Sequence, residues 1–329
     1  MRATSALDWF MDKTVVPGYS RLGPALRRAW WLDDPEPDAL ADRHVVVTGA
    51  SSGLGAATVL GLARLGATVH LLGRDQGRLD ACADDVRRQL ASAGSPVPEL
   101  VTSVCDVSDL DAVRVYATAL AARVDALHGL VHVAGVLPPE RQESAQGHEL
   151  VYATHVLGPF LLTHLLRPLL RADGDARVVW VSSGGMYTRS LDASDPEAKE
   201  REWSGTDAYA RTKRMQVALA RMWADRMRTD PVAVHAMHPG WAATPGVTAS
   251  LPRFARLTAP ILRTPAQGAD TIVWLTAAAP ASAAAGCSGA FWSDRRPRAT
   301  SYLPGQQDPP GERARLWETV ADAVDADPR

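Results

Sequence analysis

Short apolar runs rich in β-branched residues alternate along the chain with longer segments whose apolar residues recur at helical spacing. The short runs predict seven strands, which are 44–48, 68–72, 101–105, 129–133, 177–182, 232–237 and 289–292. The longer segments predict helices at 53–65, 77–90, 110–122, 147–170, 207–228 and near 313–324. Continuous apolar strands need cover on both faces of their sheet. The pattern therefore predicts an α/β fold with a doubly wound, mostly parallel, seven-stranded sheet and helices on both faces.

The predicted sheet divides the chain into three parts. Residues 44–294 form one domain that contains every predicted strand. An N-terminal extension at 1–43 precedes this domain and ends in a linker rich in Pro and Asp at 33–42. A C-terminal extension at 295–329 follows the domain, and we expect it to pack on the core.

An amphipathic helix is predicted within the N-terminal extension. Leu22, Leu26 and Trp30 share one helical face, and several arginines surround them. A basic amphipathic helix can lie on a membrane surface as a peripheral contact. It can also cap the sheet or build the dimer contact of a homo-oligomer, and we favour these two alternatives.

Composition excludes several classes of function. The chain of 329 residues has a formal net charge of −2, so no strong field favours nucleic acid. Its 3 cysteines lack metal-ligand spacing, which predicts reduced thiols and no metal site. No apolar run approaches the roughly 20 residues of a membrane span, and the N-terminus has no apolar leader. We therefore expect a cytoplasmic protein.

A glycine-rich turn lies between the first strand and the first helix of the predicted domain. Its sequence is Thr48-Gly49-Ala50-Ser51-Ser52-Gly53-Leu54-Gly55. Glycines allow the backbone to turn tightly and to approach a pyrophosphate, while the helix N-terminus offers free N–H groups and a positive dipole end. The turn therefore predicts a dinucleotide site formed by Gly49, Ser51, Ser52, Gly53 and Leu54.

The end of the second strand bears on the choice between NAD and NADP. An acidic residue there would bind the ribose 2′-OH of NAD, but Gly73 stands at that place. The adjacent Arg74 can pair with a 2′-phosphate, so NADP is favoured over NAD. Asp75 could instead neutralise Arg74. Asp106, after the third strand, could contact the adenine amino group or could cap the next helix.

A tyrosine and a lysine on the last long helix are candidates for acid–base catalysis. Tyr209 and Lys213 are four residues apart and so share one helical face. A nearby cation lowers the pKa of a phenol towards the range in which it exchanges protons. Ser183 follows the fifth strand and could hydrogen-bond a substrate carbonyl, with Ser182 as the alternative.

Together and in this order, these motifs resemble the short-chain dehydrogenase/reductase family over about 44–292. The resemblance implies a single-domain Rossmann fold and hydride transfer between NAD(P) and an alcohol or carbonyl. It also implies that Tyr209 donates the proton, while Lys213 binds the nicotinamide ribose and lowers the pKa of the tyrosine. The further cofactor residues that it implies are Asp106, Val107, Ala134, Gly135, Pro239, Gly240 and Thr244.

Several strings are similar to the "member 12" branch of the family's dehydrogenase/reductase series. These strings are 181–186, 237–241, 244–247 and 266–271. In the resemblance, residues of about 241–263 form a substrate lid. The apolar content of this lid predicts an apolar carbonyl or alcohol as the substrate.

The chain departs from the family at three places. The family's Asn-Asn-Ala-Gly after the fourth strand is replaced by His132-Val133-Ala134-Gly135. The asparagine that holds a relay water behind the lysine aligns with His155. Because histidine titrates near neutral pH, His155 could serve in the relay, or it could simply be packed between sheet and helix. A long polar segment also separates Ser183 from Tyr209, which predicts a surface excursion at 187–205.

The sequence is compatible with two functions. The first is an NADP(H)-dependent oxidoreductase that interconverts an apolar carbonyl and its alcohol. The alternative is an NAD(P)-binding sensor or scaffold with little turnover, which the replacements at His132 and His155 motivate. The intact Ser183, Tyr209 and Lys213 favour the enzyme, because a sensor has no need of them.

Overall fold

One mixed sheet organises the protein. The computed structural model describes residues 2–243, 256–278, 287–303 and 306–327, with side chains from residue 7 onward. The strands are β1 His44–Thr48, β2 Thr68–Gly73, β3 Leu100–Val104, β4 Gly129–His132, β5 Ala176–Val181, β6 Val232–Met237, β7 Phe291–Ser293 and β8 Arg296–Pro297. They lie in the order β3-β2-β1-β4-β5-β6-β7-β8, and only β7 and β8 pair antiparallel. The predicted α/β class is confirmed.

Helices connect most of these strands. The described α-helices are α1 Arg2–Lys13, α2 Val16–Tyr19, α3 Leu22–Arg27, α4 Gly53–Arg64, α5 Gln76–Ser92, α6 Leu110–Ala121, α7 Leu150–Tyr152, α8 Gly158–Asp173, α9 Gly205–Arg226, α10 Pro265–Ala277 and α11 Glu312–Ala323. A π-helical turn at Ala153–Leu157 joins α7 to α8. No helix among the described residues is long and apolar enough to cross a membrane.

The two faces of the sheet carry separate cores. Val47 and Val69 point to one face, where α4, α5 and α10 cover them. Val46 and Leu72 point to the other face, where α6, α8 and α9 lie. Helix α11 packs on that second layer through Trp317, whose ring lies 4.8 Å from that of Phe160 and 4.9 Å from that of Trp223. The C-terminal extension therefore adds cover to the domain.

The structure differs from the predicted elements at several places: the described sheet has eight strands rather than seven, and α1 and α2 were not predicted. The helix predicted at 147–170 is interrupted by the π turn, because Pro159 has no N–H to bond the carbonyl of residue 155. Strand β8 has only two residues and gives no hydrophobic pattern. Helix α10 was not predicted, although Thr264 and Gln267 form a capping box that marks its start. Thr244 and lid residues 244–255 lie outside the described residues.

The N-terminal extension is fastened to the sheet by buried ion pairs. Arg27 binds Asp8 at 2.7 Å and Asp294 at 2.6 Å, and all three side chains are buried. The other oxygen of Asp294 accepts from Arg263 at 2.7 Å. The extension therefore covers the end of the sheet near β7. Leu22 and Leu26 stay about half exposed on its outer face, so a membrane or dimer contact through them stays a prediction.

We expect Asp294→Asn to lower the free energy of unfolding by about 3 kcal/mol, because it leaves two buried guanidinium groups without their shared anion. Urea unfolding monitored by tryptophan fluorescence measures the change. Asp84→Asn is the matched control, since the Asp84–Arg87 pair is exposed and should contribute under about 1 kcal/mol. Equal losses in the two variants would contradict the assigned role of Asp294.

Candidate active site

A cavity lies at the carboxyl edge of the parallel strands. Its volume of about 830 Å³ falls within the range of roughly 300–1,000 Å³ that is usual for ligand pockets. Fifteen of the predicted site residues line it, and they are Gly49, Ser51, Ser52, Gly53, Leu54, Arg74, Asp106, Val107, Ala134, Gly135, Ser183, Tyr209, Lys213, Pro239 and Gly240. The carboxyl edge is where ligands bind in open α/β sheets. His155 lies behind this cavity and Thr244 is outside the described residues.

The glycine turn forms one end of the cavity. Gly49 has φ +65° and its backbone touches the loop after β4, since a Cβ atom there would lie 2.7 Å from Ala134 Cα. Thr48 fixes this contact because its hydroxyl accepts hydrogen bonds from Val133 N and Ala134 N, each at 3.1 Å. Side chains larger than hydrogen at residue 49 would push the two loops apart.

The N-terminus of α4 faces the same end of the cavity. Ser52 precedes the helix but makes no side-chain cap hydrogen bond, and the first turn contains no acidic residue. The helix therefore presents N–H groups and the positive end of its dipole to the cavity. These features fit the pyrophosphate of NAD(P).

Two arginines stand where the adenosine half of the cofactor would lie. Arg74 is 60% exposed, and its nearest anionic partner is Asp106 at 3.9 Å. Asp75 is occupied elsewhere, because it caps α5 by accepting from Arg78 N at 2.9 Å. Arg78 also lines the cavity and was not predicted from the sequence. Its position in the first turn of α5, four residues after Arg74, was the available signal.

Asp106 is a wall residue and does not cap the next helix. Its Oδ1 accepts from the Ser108 backbone N–H at 2.9 Å and from the Ser108 hydroxyl at 2.7 Å. Asp109 caps α6 instead, by accepting from Asp111 N and Ala112 N. The structure therefore excludes the capping alternative for Asp106, and its contact with the adenosine half stays a prediction.

Ser183 and Tyr209 meet at the centre of the cavity. Ser183 begins the turn after β5, and its Oγ accepts from Gly185 N at 3.2 Å. Burial raises the pKa of Tyr209 above its ordinary value, while a hydrogen bond with Ser183 acts in the opposite direction. Ser182, the alternative catalytic serine, donates to the backbone carbonyl of Lys213 at 2.7 Å and anchors α9. Ser183 is therefore the serine available to a substrate.

Lys213 lies beneath Tyr209 but does not contact its hydroxyl. The Nζ atom is 5.4 Å from the centre of the tyrosine ring. It donates to Val181 O at 2.9 Å and to Gln216 Oε1 at 3.0 Å. Burial lowers the pKa of Lys213 to about 7. Burial and Ser183 are the causes that set the pKa of Tyr209 in this arrangement, so the predicted effect of Lys213 on the tyrosine stays a prediction.

His155 is buried in the second layer, and both nitrogen atoms of its ring have hydrogen-bond partners. Its Nε2 accepts from Val136 N at 3.0 Å, so its proton must be on Nδ1, which faces the Thr212 hydroxyl at 2.8 Å. Burial and the charge of Lys213 hold the pKa of His155 well below its ordinary value. The expectation that this histidine titrates near neutral pH is thus not met, and its geometry favours the packed alternative.

The other departures from the family also have structural roles. His132 is buried, and its Nε2 lies 2.9 Å from the hydroxyl of Thr163 on α8. The segment 187–205 was expected to be a surface excursion, but two of its acidic residues are buried. Arg211 donates to Asp195 O at 2.7 Å, and Glu197 accepts from Glu149 N at 2.8 Å. The inserted segment is therefore bound to α9 and to the start of α7.

The far end of the cavity is mostly apolar. It is lined by Val136, Leu137, Pro138, Pro139, Gln142, Leu150, Thr154, Thr188, Thr206, Trp241 and Ala242. Trp241 is held by the N-terminal extension, since Tyr19 O accepts from Trp241 N at 2.7 Å. Arg263 closes the same junction by donating to Gly18 O at 2.6 Å and to Pro239 O at 3.1 Å. Both ends of the segment 241–263 are therefore anchored.

Comparisons with known proteins show the family of this chain. The sequence model of the short chain dehydrogenase family matches residues 43–253. Dehydrogenase/reductase SDR family member 12 of Bos taurus is 38% identical over 84% of this chain and 85% of its own. A putative daunorubicin C-13 ketoreductase of Streptomyces sp. (strain C5) is 35% identical over 87% of this chain and 93% of its own. The expected likeness to the "member 12" branch is confirmed.

A solved structure supports the fold and the class of cofactor. It is a putative short chain dehydrogenase from Escherichia coli CFT073 complexed with NADPH, with a TM-score of 0.62 and 25% identity. The alignment covers 80% of this chain and 100% of the other. Taken with the cavity, these matches show that this chain belongs to the short-chain dehydrogenase/reductase family of NAD(P)-dependent oxidoreductases.

Proposed function

We propose that this protein uses NADP(H) to interconvert an apolar carbonyl compound and its alcohol. The observation that carries the proposal is the convergence of Ser183, Tyr209 and Lys213 on the cavity that contains the glycine turn. When bound, NADP(H) supplies or accepts the hydride. The chain supplies the binding surfaces, the orientation of the carbonyl and the proton.

Ser183 and Tyr209 have different roles in the reaction: Ser183 orients the carbonyl and Tyr209 donates the proton. The Ser183 oxygen accepts from the Gly185 N–H, so its own proton is left for the Tyr209 hydroxyl or for a carbonyl oxygen that binds beside it. Tyr209 then donates a proton to the same oxygen as negative charge develops on it. Because burial raises the pKa of Tyr209, the phenol holds its proton at neutral pH. This state of the tyrosine favours the reduction of a carbonyl.

NADP is favoured over NAD by the pair of arginines at the adenosine end. Arg74 and Arg78 both line the cavity there, and Arg74 keeps most of its guanidinium accessible. A guanidinium binds a phosphate through two parallel N–H donors. The NADPH in the similar E. coli structure gives further support.

The apolar end of the cavity favours a hydrophobic substrate. Its walls come from the loop after β4, from α7 and from the anchored Trp241, and few charged side chains reach it. One relative is named as a putative daunorubicin C-13 ketoreductase. We therefore propose that large apolar ketones and aldehydes are the substrates, with activity in the cytoplasm.

We expect Tyr209→Phe to lower kcat for carbonyl reduction by about 10²–10⁴-fold, because it removes the proton donor. The dissociation constant for NADPH should change by less than about twofold. The test follows NADPH absorbance with retinal, medium-chain aldehydes and polycyclic ketones, and NADPH binding by fluorescence. Tyr152→Phe is the control, since the buried Tyr152 hydroxyl has no hydrogen-bond partner among the described residues. Binding of NADPH with no turnover of any carbonyl by the wild type would favour a sensor.

We expect Arg74→Ala to raise the dissociation constant for NADPH by about tenfold and to leave that for NADH unchanged, because only NADPH carries the 2′-phosphate. Fluorescence titration measures both constants. Arg88→Ala is the control, because Arg88 lies on the exposed surface of α5 and pairs with Asp85. An equal loss of affinity for both nucleotides would remove Arg74 from the phosphate site.

We expect NADPH binding to weaken by about tenfold as the pH rises through about 7, because the Lys213 ammonium loses its proton in this range. Below this pH the lysine is charged and can donate to the ribose hydroxyls. Lys213→Met should bind NADPH weakly with little pH dependence over the same range, which separates the lysine from the titration of the phosphate. A wild type and a Lys213→Met variant with parallel pH profiles would contradict the assignment.

A further inference from the structure

A buried glutamine joins Lys213 to the backbone of the helix that carries His155. Gln216 is 1% exposed and lies one turn after Lys213 on α9. Its Oε1 accepts from Lys213 Nζ at 3.0 Å, and its Nε2 donates to His155 O at 2.9 Å. The side-chain amide of Gln216 therefore bonds directly to both Lys213 and the neighbouring helix.

The carbonyl of His155 is available because of the residue four positions later. In an α-helix this carbonyl would accept the N–H of residue 159, but Pro159 has none. The chain forms a π turn instead, in which Gly158 N donates to Ala153 O. A buried carbonyl needs a partner, and the amide of Gln216 supplies it.

The position of this carbonyl is well determined. The imidazole of His155 is held from two elements, by Val136 N in the cavity wall and by the Thr212 hydroxyl on α9. Thr212 is itself bound to the carbonyl of Ala208 at 2.9 Å. Gln216 therefore links Lys213 to a point that is fixed relative to both the cavity wall and α9.

The hydrogen bond to Gln216 also limits the other hydrogen bonds that Lys213 can donate. An ammonium has three N–H donors, and two of them are taken by Val181 O and Gln216 Oε1. The third is left for the cavity that Lys213 lines. A carboxamide keeps its protons near neutral pH, so it holds the lysine in place but does not relay protons behind it.

We infer that Gln216 is a positioning residue that sets the place of the Lys213 ammonium, in the position where the family resemblance implies a relay water. The inference rests on the proposed function for its kinetic consequences. Its structural consequence, the control of Lys213 by a side-chain amide, applies to NADPH binding as well as to turnover.

The first test compares two substitutions of different size. Gln216→Leu fills the volume of the glutamine with no polar atom, so we expect kcat/KM for the carbonyl to fall by about 30–100-fold. Gln216→Ala leaves room for a water that can bond both Lys213 Nζ and His155 O, so we expect a loss of only about three- to tenfold. A role in packing alone predicts the reverse order, because the alanine variant leaves a cavity.

The second test uses the pH dependence of NADPH affinity and of kcat/KM. Gln216→Glu places a carboxylate beside Lys213, which raises the pKa of the ammonium and should move the alkaline loss to higher pH by about one unit. Gln216→Leu removes an acceptor and should move that loss to lower pH. Val217→Ala, a truncation in the core of the same helix, is the control and should leave the profile in place.

Two results would overturn the inference. One is a Gln216→Leu variant with the turnover and pH profile of the wild type. The other is an alanine variant that is less active than the leucine variant. If the wild type turns over no carbonyl, the proposed function fails, but the shifts in the pH dependence of NADPH affinity still decide the role of Gln216.

Discussion

Pro159 lacks an amide hydrogen, and the arrangement of the candidate site follows from that missing donor. The helix between β4 and β5 cannot close its regular hydrogen bonds across this residue, so it forms the π turn that contains His155. The turn frees one carbonyl for Gln216 and places the imidazole against Val136 N and Thr212. His155 thereby connects the cavity wall with α9 and, through Gln216, with Lys213.

A second constraint acts at the opposite end of the cavity. Asp294 is a buried anion that binds Arg27 of the N-terminal extension and Arg263 at the end of the segment 241–263. Arg263 in turn donates hydrogen bonds to the backbone carbonyls of Pro239 and Gly18. Because Trp241 N is bound to Tyr19 O, the extension takes part in shaping the apolar wall. The N-terminal extension and this wall of the cavity are therefore joined by direct hydrogen bonds.

Much of this molecule could be predicted from the sequence, where the signal was local. The strands from β1 to β6 are continuous apolar runs, and the glycine turn and the Tyr209–Lys213 pair are defined by short spacings. Parallel strands bring their carboxyl ends to one edge, which explains why these separate motifs share a cavity. Once the order of the strands is known, the predicted residues can be placed in one site.

The remaining features depend on contacts between residues that are distant in the sequence. The neutral state of His155 follows from burial and from Val136 N, neither of which the sequence displays. The role of Gln216 depends on a carbonyl 61 positions away. The packing of the polar segment on α9 depends on a hydrogen bond from Arg211 to the backbone carbonyl of Asp195, 16 positions earlier. Such contacts are set by tertiary structure rather than by local pattern.

The most direct test of the account is whether hydride passes from the cofactor to a carbonyl within this cavity. NADPH with deuterium at both C4 positions of its nicotinamide would be turned over with an apolar ketone, and the alcohol analysed by mass spectrometry. The account predicts one deuterium on the carbinol carbon of the product. An alcohol that contains no deuterium, or tight NADPH binding with no transfer to any carbonyl of the panel, would contradict it.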